Sequence, residues 1–225
     1  MSQINLAAVI FDMDGVLIDS EPSWQAAEYK VLSQLGLPIS LSDTEQTTGL
    51  RIDQVVEYWY RRHPWEGYDN AATAEAIVTQ VAGEILSHGE AMSGVKEALE
   101  ACKQRGLKLG LATSSPTLLI DAVMQKLAIR ELFDSIESAE TLALGKPHPE
   151  VYLNCAKALG VEPSQCLAIE DSFNGLIAAR AANMHTVVIP APHEASQARW
   201  AAAHQQLASL KEFAGYLAQC TAKQL

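Results

Sequence analysis

One apolar run, Leu6-Ala7-Ala8-Val9-Ile10-Phe11, ends abruptly on Asp12-Met13-Asp14-Gly15. A half-exposed strand alternates apolar with polar residues, so an unbroken run reads as a parallel strand covered on both faces. Segments 107–113, 166–171 and 185–190 read the same way. Helical patterns at 94–105, 116–127, 148–159 and 173–182 separate them, and Gly106 and Gly160 stand where two of these helices should stop. Strands alternating with helices need crossover connections, which predicts a doubly wound α/β core around a parallel sheet.

Residues 18–88 break that rhythm. They carry helical patterns at 21–35, 52–62 and 70–87 and no buried strand, with His63-Pro64-Trp65-Glu66-Gly67 as the turn between the last two. The expected domains are a core of residues 1–17 and 89–225 and an inserted helical cap of residues 18–88. Beyond His193 the pattern predicts closing helices at 196–205 and 207–220.

The chain has 225 residues, 48% of them hydrophobic and 19% charged, enough apolar surface to offset the entropy of ordering a core. Its net charge is −11, from 27 acidic and 16 basic residues, where a nucleic-acid binder needs a basic face. Cysteines 102, 155, 166 and 220 have neither metal-site nor redox spacing and are expected to be buried free thiols. Leu6–Phe11 is too short to span a membrane and has no basic flank. The expectation is a soluble cytoplasmic monomer whose partner is a small metabolite, not nucleic acid or membrane.

Asp12 and Asp14 fall at the carboxyl end of the first predicted strand, where open α/β sheets place their ligands. Alone, such a triplet is a common solvated turn. The strand before it and Gly15 after it make a site the stronger reading. Glu170-Asp171 closes another apolar strand, and two adjacent carboxylates repel unless a cation or a lysine lies close.

These segments together resemble the haloacid dehalogenase superfamily. Its first motif, a strand followed by DxDG, matches Asp12-Met13-Asp14-Gly15. The second, a strand ending in a hydroxyl residue, matches Leu109–Thr113, followed by Ser114 and Ser115. The third, a Lys-Pro before a helix, matches Lys146-Pro147, and the fourth, an acidic pair closing a strand, matches Glu170-Asp171. The resemblance implies a phosphatase: Asp12 as nucleophile, Asp14 as general acid and base, and Thr113, Ser114 and Lys146 on the phosphoryl group. It also implies a magnesium ion held by Asp12, the Asp14 carbonyl and Asp171, with Glu170 acting through water. The cap position, Asp19-Ser20-Glu21-Pro22 and Gly49-Leu50-Arg51-Ile52-Asp53 resemble the bacterial hexitol- and hexose-phosphate phosphatases in particular, so the implied substrate is a small sugar or sugar-alcohol phosphate.

Other readings stay open at this level. A phosphomutase uses the same residues, but β-phosphoglucomutases carry a histidine where, by ungapped alignment, this chain has Trp24. Dehalogenases and phosphonate-cleaving enzymes lack the second aspartate, and a mere binding module has no need to hold three acids together. Arg51 is either a substrate contact or one half of an ion pair with Asp53 or Glu57. The aromatic residues Tyr58, Trp59, Tyr60, Trp65 and Tyr68 read as the cap's own core, and His148 as a surface histidine.

Overall fold

The computed structural model describes residues 5–48 and 50–221, so the Gly49 part of the cap signature lies outside the described residues. Strand β1 spans Ala8–Phe11 and is followed by helices α1 (Glu21–Gln34), α2 (Ile52–Arg62) and α3 (Asn70–His88), with a 3-10 segment at Leu41–Thr47. The chain continues through α4 (Val95–Gln104), β2 (Lys108–Thr113), α5 (Thr117–Leu127), β3 (Ser135–Ser138), α6 (Glu150–Leu159), β4 (Cys166–Glu170), α7 (Phe173–Ala181), β5 (His185–Val188), β6 (Gln205–Gln206) and α8 (Phe213–Thr221).

The sheet is parallel throughout, in the order β3-β2-β1-β4-β5-β6. All of β1 is buried. Val9 and Phe11 enter the larger core beside Leu99 and Phe213, while Ala8 and Ile10 pack on the other face with Tyr152 and Cys155. Burial on both sides is why the sequence of this strand shows no alternation. Strand order reverses beside β1, because the chain runs outward through β2 and β3 and then crosses to β4; a crevice opens there at the carboxyl ends of the strands.

The helical segment leaves and rejoins the core at one place. Ile18 bridges Ala91 in antiparallel fashion, Asp19 N–H donates to the Glu90 carbonyl at 3.0 Å and Met92 N–H to the Leu17 carbonyl at 3.0 Å. Helix α3 packs along α5, which lays the segment across the core. Inside it, Trp59 is buried with Leu32, Leu37 and Val55, while Tyr58, Tyr60 and Trp65 are half-buried and Tyr68, stacked on Tyr60 at 3.7 Å, is exposed, so the aromatic group is partly internal packing and partly surface.

Two expectations need correction. The closing helix at 196–205 is instead a 3-10 turn at Ala198–Ala202 followed by β6. Helical propensity in this alanine-rich stretch is overridden by packing: Trp200 is buried against Leu176 and Val188, and Gln205 pairs with Val187. The predicted helix 207–220 splits into a 3-10 turn at Leu210–Glu212 and α8. Strand β3 had no apolar run to announce it. The four cysteines are free and buried.

Candidate active site

Asp12 follows β1 directly, and Glu170 ends β4 beside it, so the register of two central strands sets their separation. Oxygen atoms of Asp12, Glu170 and Asp171 all lie within 4.8 Å of one another. Two glycines make the crowding possible. A Cβ on Gly15 would collide with the Asp171 carboxylate, and Gly15 also holds a φ of +70°, in the left-handed region. A Cβ on Gly175, in the first turn of α7, would collide with Glu170. Helix α7 is capped there by Ser172, whose Oγ accepts the Gly175 N–H at 3.0 Å.

Lys146 reaches into this cluster. Its Nζ donates to Asp12 Oδ1 at 2.7 Å, to Glu170 Oε1 at 2.6 Å and to the Ala112 carbonyl at 2.9 Å. Glu170 accepts further bonds from Tyr152 Oη at 2.6 Å on Oε1, and from Ser172 Oγ at 3.1 Å and Ser172 N–H at 3.3 Å on Oε2. Both Glu170 oxygens are thus engaged by protein donors, and the residue anchors Lys146 from behind.

Burial pushes the Asp12 carboxyl up to about 8, Lys146 opposing and the charges of Glu170 and Asp14 adding to the rise. Asp171 is raised by burial and then by Asp12 and Glu170. Burial alone would lower Lys146, but the facing Asp12 and Glu170 charges outweigh it and hold the ammonium charged. One lysine cannot balance three ionised carboxylates, and their all-oxygen donor set suits a hard divalent cation such as magnesium.

Asp14 projects toward the helical segment. Its Oδ1 accepts from Ser20 Oγ at 2.5 Å and Trp24 Nε1 at 3.2 Å, and its Oδ2 from Ser115 Oγ at 2.6 Å. Ser20 starts α1, yet its hydroxyl serves Asp14 rather than capping the helix. Thr113, buried at the end of β2, accepts the Ser115 N–H at 3.0 Å on its Oγ1. Ser114 lies half-buried between them. The structure therefore gathers Asp12, Asp14, Thr113, Ser114, Lys146, Glu170 and Asp171 around one strand-end crevice.

Arg51 is elsewhere. Its Nε and Nη2 donate to the two Asp53 oxygens at 2.6 and 2.7 Å, and its Nη1 to the Leu142 carbonyl at 2.9 Å. Of the two sequence readings, the structure holds the ion pair with Asp53; Glu57 pairs with Arg61 instead. His148 is exposed beside Glu150. Sequence reasoning missed the parts played by Ser20, Ser115 and Tyr152. Only Ser115 had a signal, as the third hydroxyl of Thr113-Ser114-Ser115.

A crossover sheet with acids at its switch point and a helical excursion after the first strand defines a doubly wound α/β protein with an inserted segment and a candidate cation site. The chain belongs to the haloacid dehalogenase-like hydrolase family, whose model matches residues 6–183. It is 44% identical over 208 residues to hexitol phosphatase B of Escherichia coli O157:H7, covering 92% of this chain and 94% of that protein. Among solved structures, CbbY from Rhodobacter sphaeroides in complex with phosphate superimposes with a TM-score of 0.82 at 25% identity, covering 92% of this chain and 96% of that one. β-Phosphoglucomutase from Clostridium difficile does so with a TM-score of 0.81 at 25% identity, covering 96% and 97%. With these relatives the chain is a phosphatase.

Proposed function

We propose that this phosphatase hydrolyses the phosphate monoester of a small sugar or sugar alcohol through an aspartyl-phosphate on Asp12. The observation that carries the reading is Lys146 clamping the Asp12 carboxylate at 2.7 Å at the point where strand order reverses. The sugar-alcohol part rests on the hexitol phosphatase relative. Residues 18–88 act as a cap on a core of residues 1–17 and 89–225, and the enzyme works as a cytoplasmic monomer. Among the described residues no helix is long and apolar enough to cross a membrane.

Asp12 attacks phosphorus, and the bond from phosphorus to the sugar oxygen breaks while Asp14 gives that oxygen a proton. Asp14 then takes a proton from water, which attacks the acyl phosphate and frees Asp12. Thr113 and the Ser114 N–H donate to the phosphoryl oxygens, and Lys146 holds nucleophile and phosphoryl group together by charge. Magnesium would be held by Asp12, Asp171 and the Asp14 carbonyl, with Glu170 acting on it through water. When bound, it neutralises charge on the phosphoryl oxygens. Ser20, Trp24 and Ser115 orient Asp14.

The phosphomutase resemblance is weakened by the Trp24 contact. An indole N–H positions Asp14 but has no proton to trade with it, so acid–base activation is not coupled to a returning sugar through this side chain. A panel of sugar, sugar-alcohol and nucleotide monophosphates, incubated with magnesium, should give most phosphate from hexitol or hexose phosphates and none with excess chelator. Release that is indifferent to chelator, or confined to nucleotides, would contradict the reading.

A further inference from the structure

The cap is acidic, and its few cations are already engaged. Residues 18–88 include 11 Asp or Glu and only 4 Lys or Arg. Lys30 meets Gln80 on the surface, Arg61 pairs with Glu57, and Arg62 lies 3.4 Å over the Tyr58 ring. Arg51 is the cap cation that reaches the core, and every arm of its guanidinium is engaged. Two nitrogens grip Asp53 side by side, and Nη1 donates to the carbonyls of Leu142 and, at 3.5 Å, Ala139. These carbonyls belong to the loop that leads to Lys146. The packing is close as well, since a Cβ on Gly145 would stand 3.4 Å from Arg51 Cδ.

We infer, resting on the phosphatase reading above, that the Arg51–Asp53 pair restricts this site to esters whose only anionic group is the phosphate that is removed. A second phosphate or a carboxylate on the far end of the substrate would need a cation in the cap. Arg51 is the candidate by place, but recruiting it means breaking a bidentate ion pair and leaving the Asp53 carboxylate facing the new anion. Lys146 is committed to Asp12 and Glu170. A neutral polyhydroxyl remainder asks for no such cation and meets no repulsion from the acidic cap.

The test compares a hexitol 6-phosphate with the corresponding hexitol 1,6-bisphosphate, reading phosphate release with magnesium for the native enzyme, Asp53→Asn and Asp53→Ser. Asp53 is partly exposed in the first turn of α2, so both substitutions keep a polar side chain at a tolerant position. The native enzyme should favour the monophosphate by at least about tenfold in kcat/KM, and both variants should narrow that ratio by about tenfold, chiefly through a lower KM for the bisphosphate. A native enzyme that turns over both esters equally would overturn the inference, as would a ratio unmoved in both variants while monophosphate turnover persists. If the native enzyme releases phosphate from neither ester nor from an aryl phosphate, the hydrolase reading itself fails and takes the inference with it.

Discussion

At the scale of single residues, Asp14 shows how much chemistry depends on neighbours distant in sequence. Its carboxylate is held by Ser20 and Trp24 from α1 and by Ser115 from beyond β2. In its proposed role as general acid it would matter most when the leaving group is a poor one. Asp14→Asn should therefore lower turnover of a hexitol phosphate by about 100-fold or more, and that of an aryl phosphate, which leaves without protonation, far less. Equal losses on the two esters would remove Asp14 from that role. Asp12, Asp14 and Asp171 were legible in the sequence because each follows an apolar strand, and Lys146 because a Lys-Pro stands before a helix. Tyr152 and Ser20 were not, since a hydroxyl on a helix becomes part of a site only when packing aims it. Arg51 was legible as important and ambiguous in purpose; Asp53 was one of two partners the sequence offered, and only the side-chain geometry chooses it over Glu57.

Among the elements, α1 does more than open the inserted helical segment. Glu28 on its inner face is buried and accepts from Thr47 Oγ1 at 2.7 Å and from Trp59 Nε1, so one carboxylate ties α1 to the 3-10 segment and to α2. Burial raises Glu28 from 4.5 to about 7, against the lowering effect of its two donors. A carboxyl raised on folding contributes stability that is complete below its unfolded pKa and is lost as pH climbs through the folded value. The native protein should lose up to about 3 kcal/mol from this group between about pH 4.5 and pH 8. Glu28→Gln keeps an acceptor without the charge, so its melting temperature should fall less over that interval, and identical pH profiles would contradict the account. The main strands and helices were readable because β1, β2, β4 and β5 are apolar runs and the helices carry periodic faces. Strand β3, Ser-Ile-Glu-Ser, is half-buried at a sheet edge and has no such run, and β6 has only two residues, too few to show a pattern. The tail was misread because Trp200 packing outweighs local helix preference there.

At the scale of the whole molecule, the proposed function has a sheet switch point, three crowded acids and one lysine make Asp12 a nucleophile toward phosphorus beneath the inserted helical segment. A solved β-phosphoglucomutase shares the fold closely, so fold alone does not separate hydrolysis from transfer. The proposed chemistry at Asp12 is the claim on which the rest depends. It is tested most directly by rapid borohydride quenching during turnover of a hexitol phosphate with magnesium, followed by mass spectrometry of the peptide that contains residue 12. Reduction of an acyl phosphate converts that aspartate to homoserine. The account predicts homoserine at position 12 in the native enzyme only when substrate is present, and neither homoserine nor phosphate release in Asp12→Asn. Steady phosphate release with Asp12 never converted, or sustained turnover by Asp12→Asn, would contradict it.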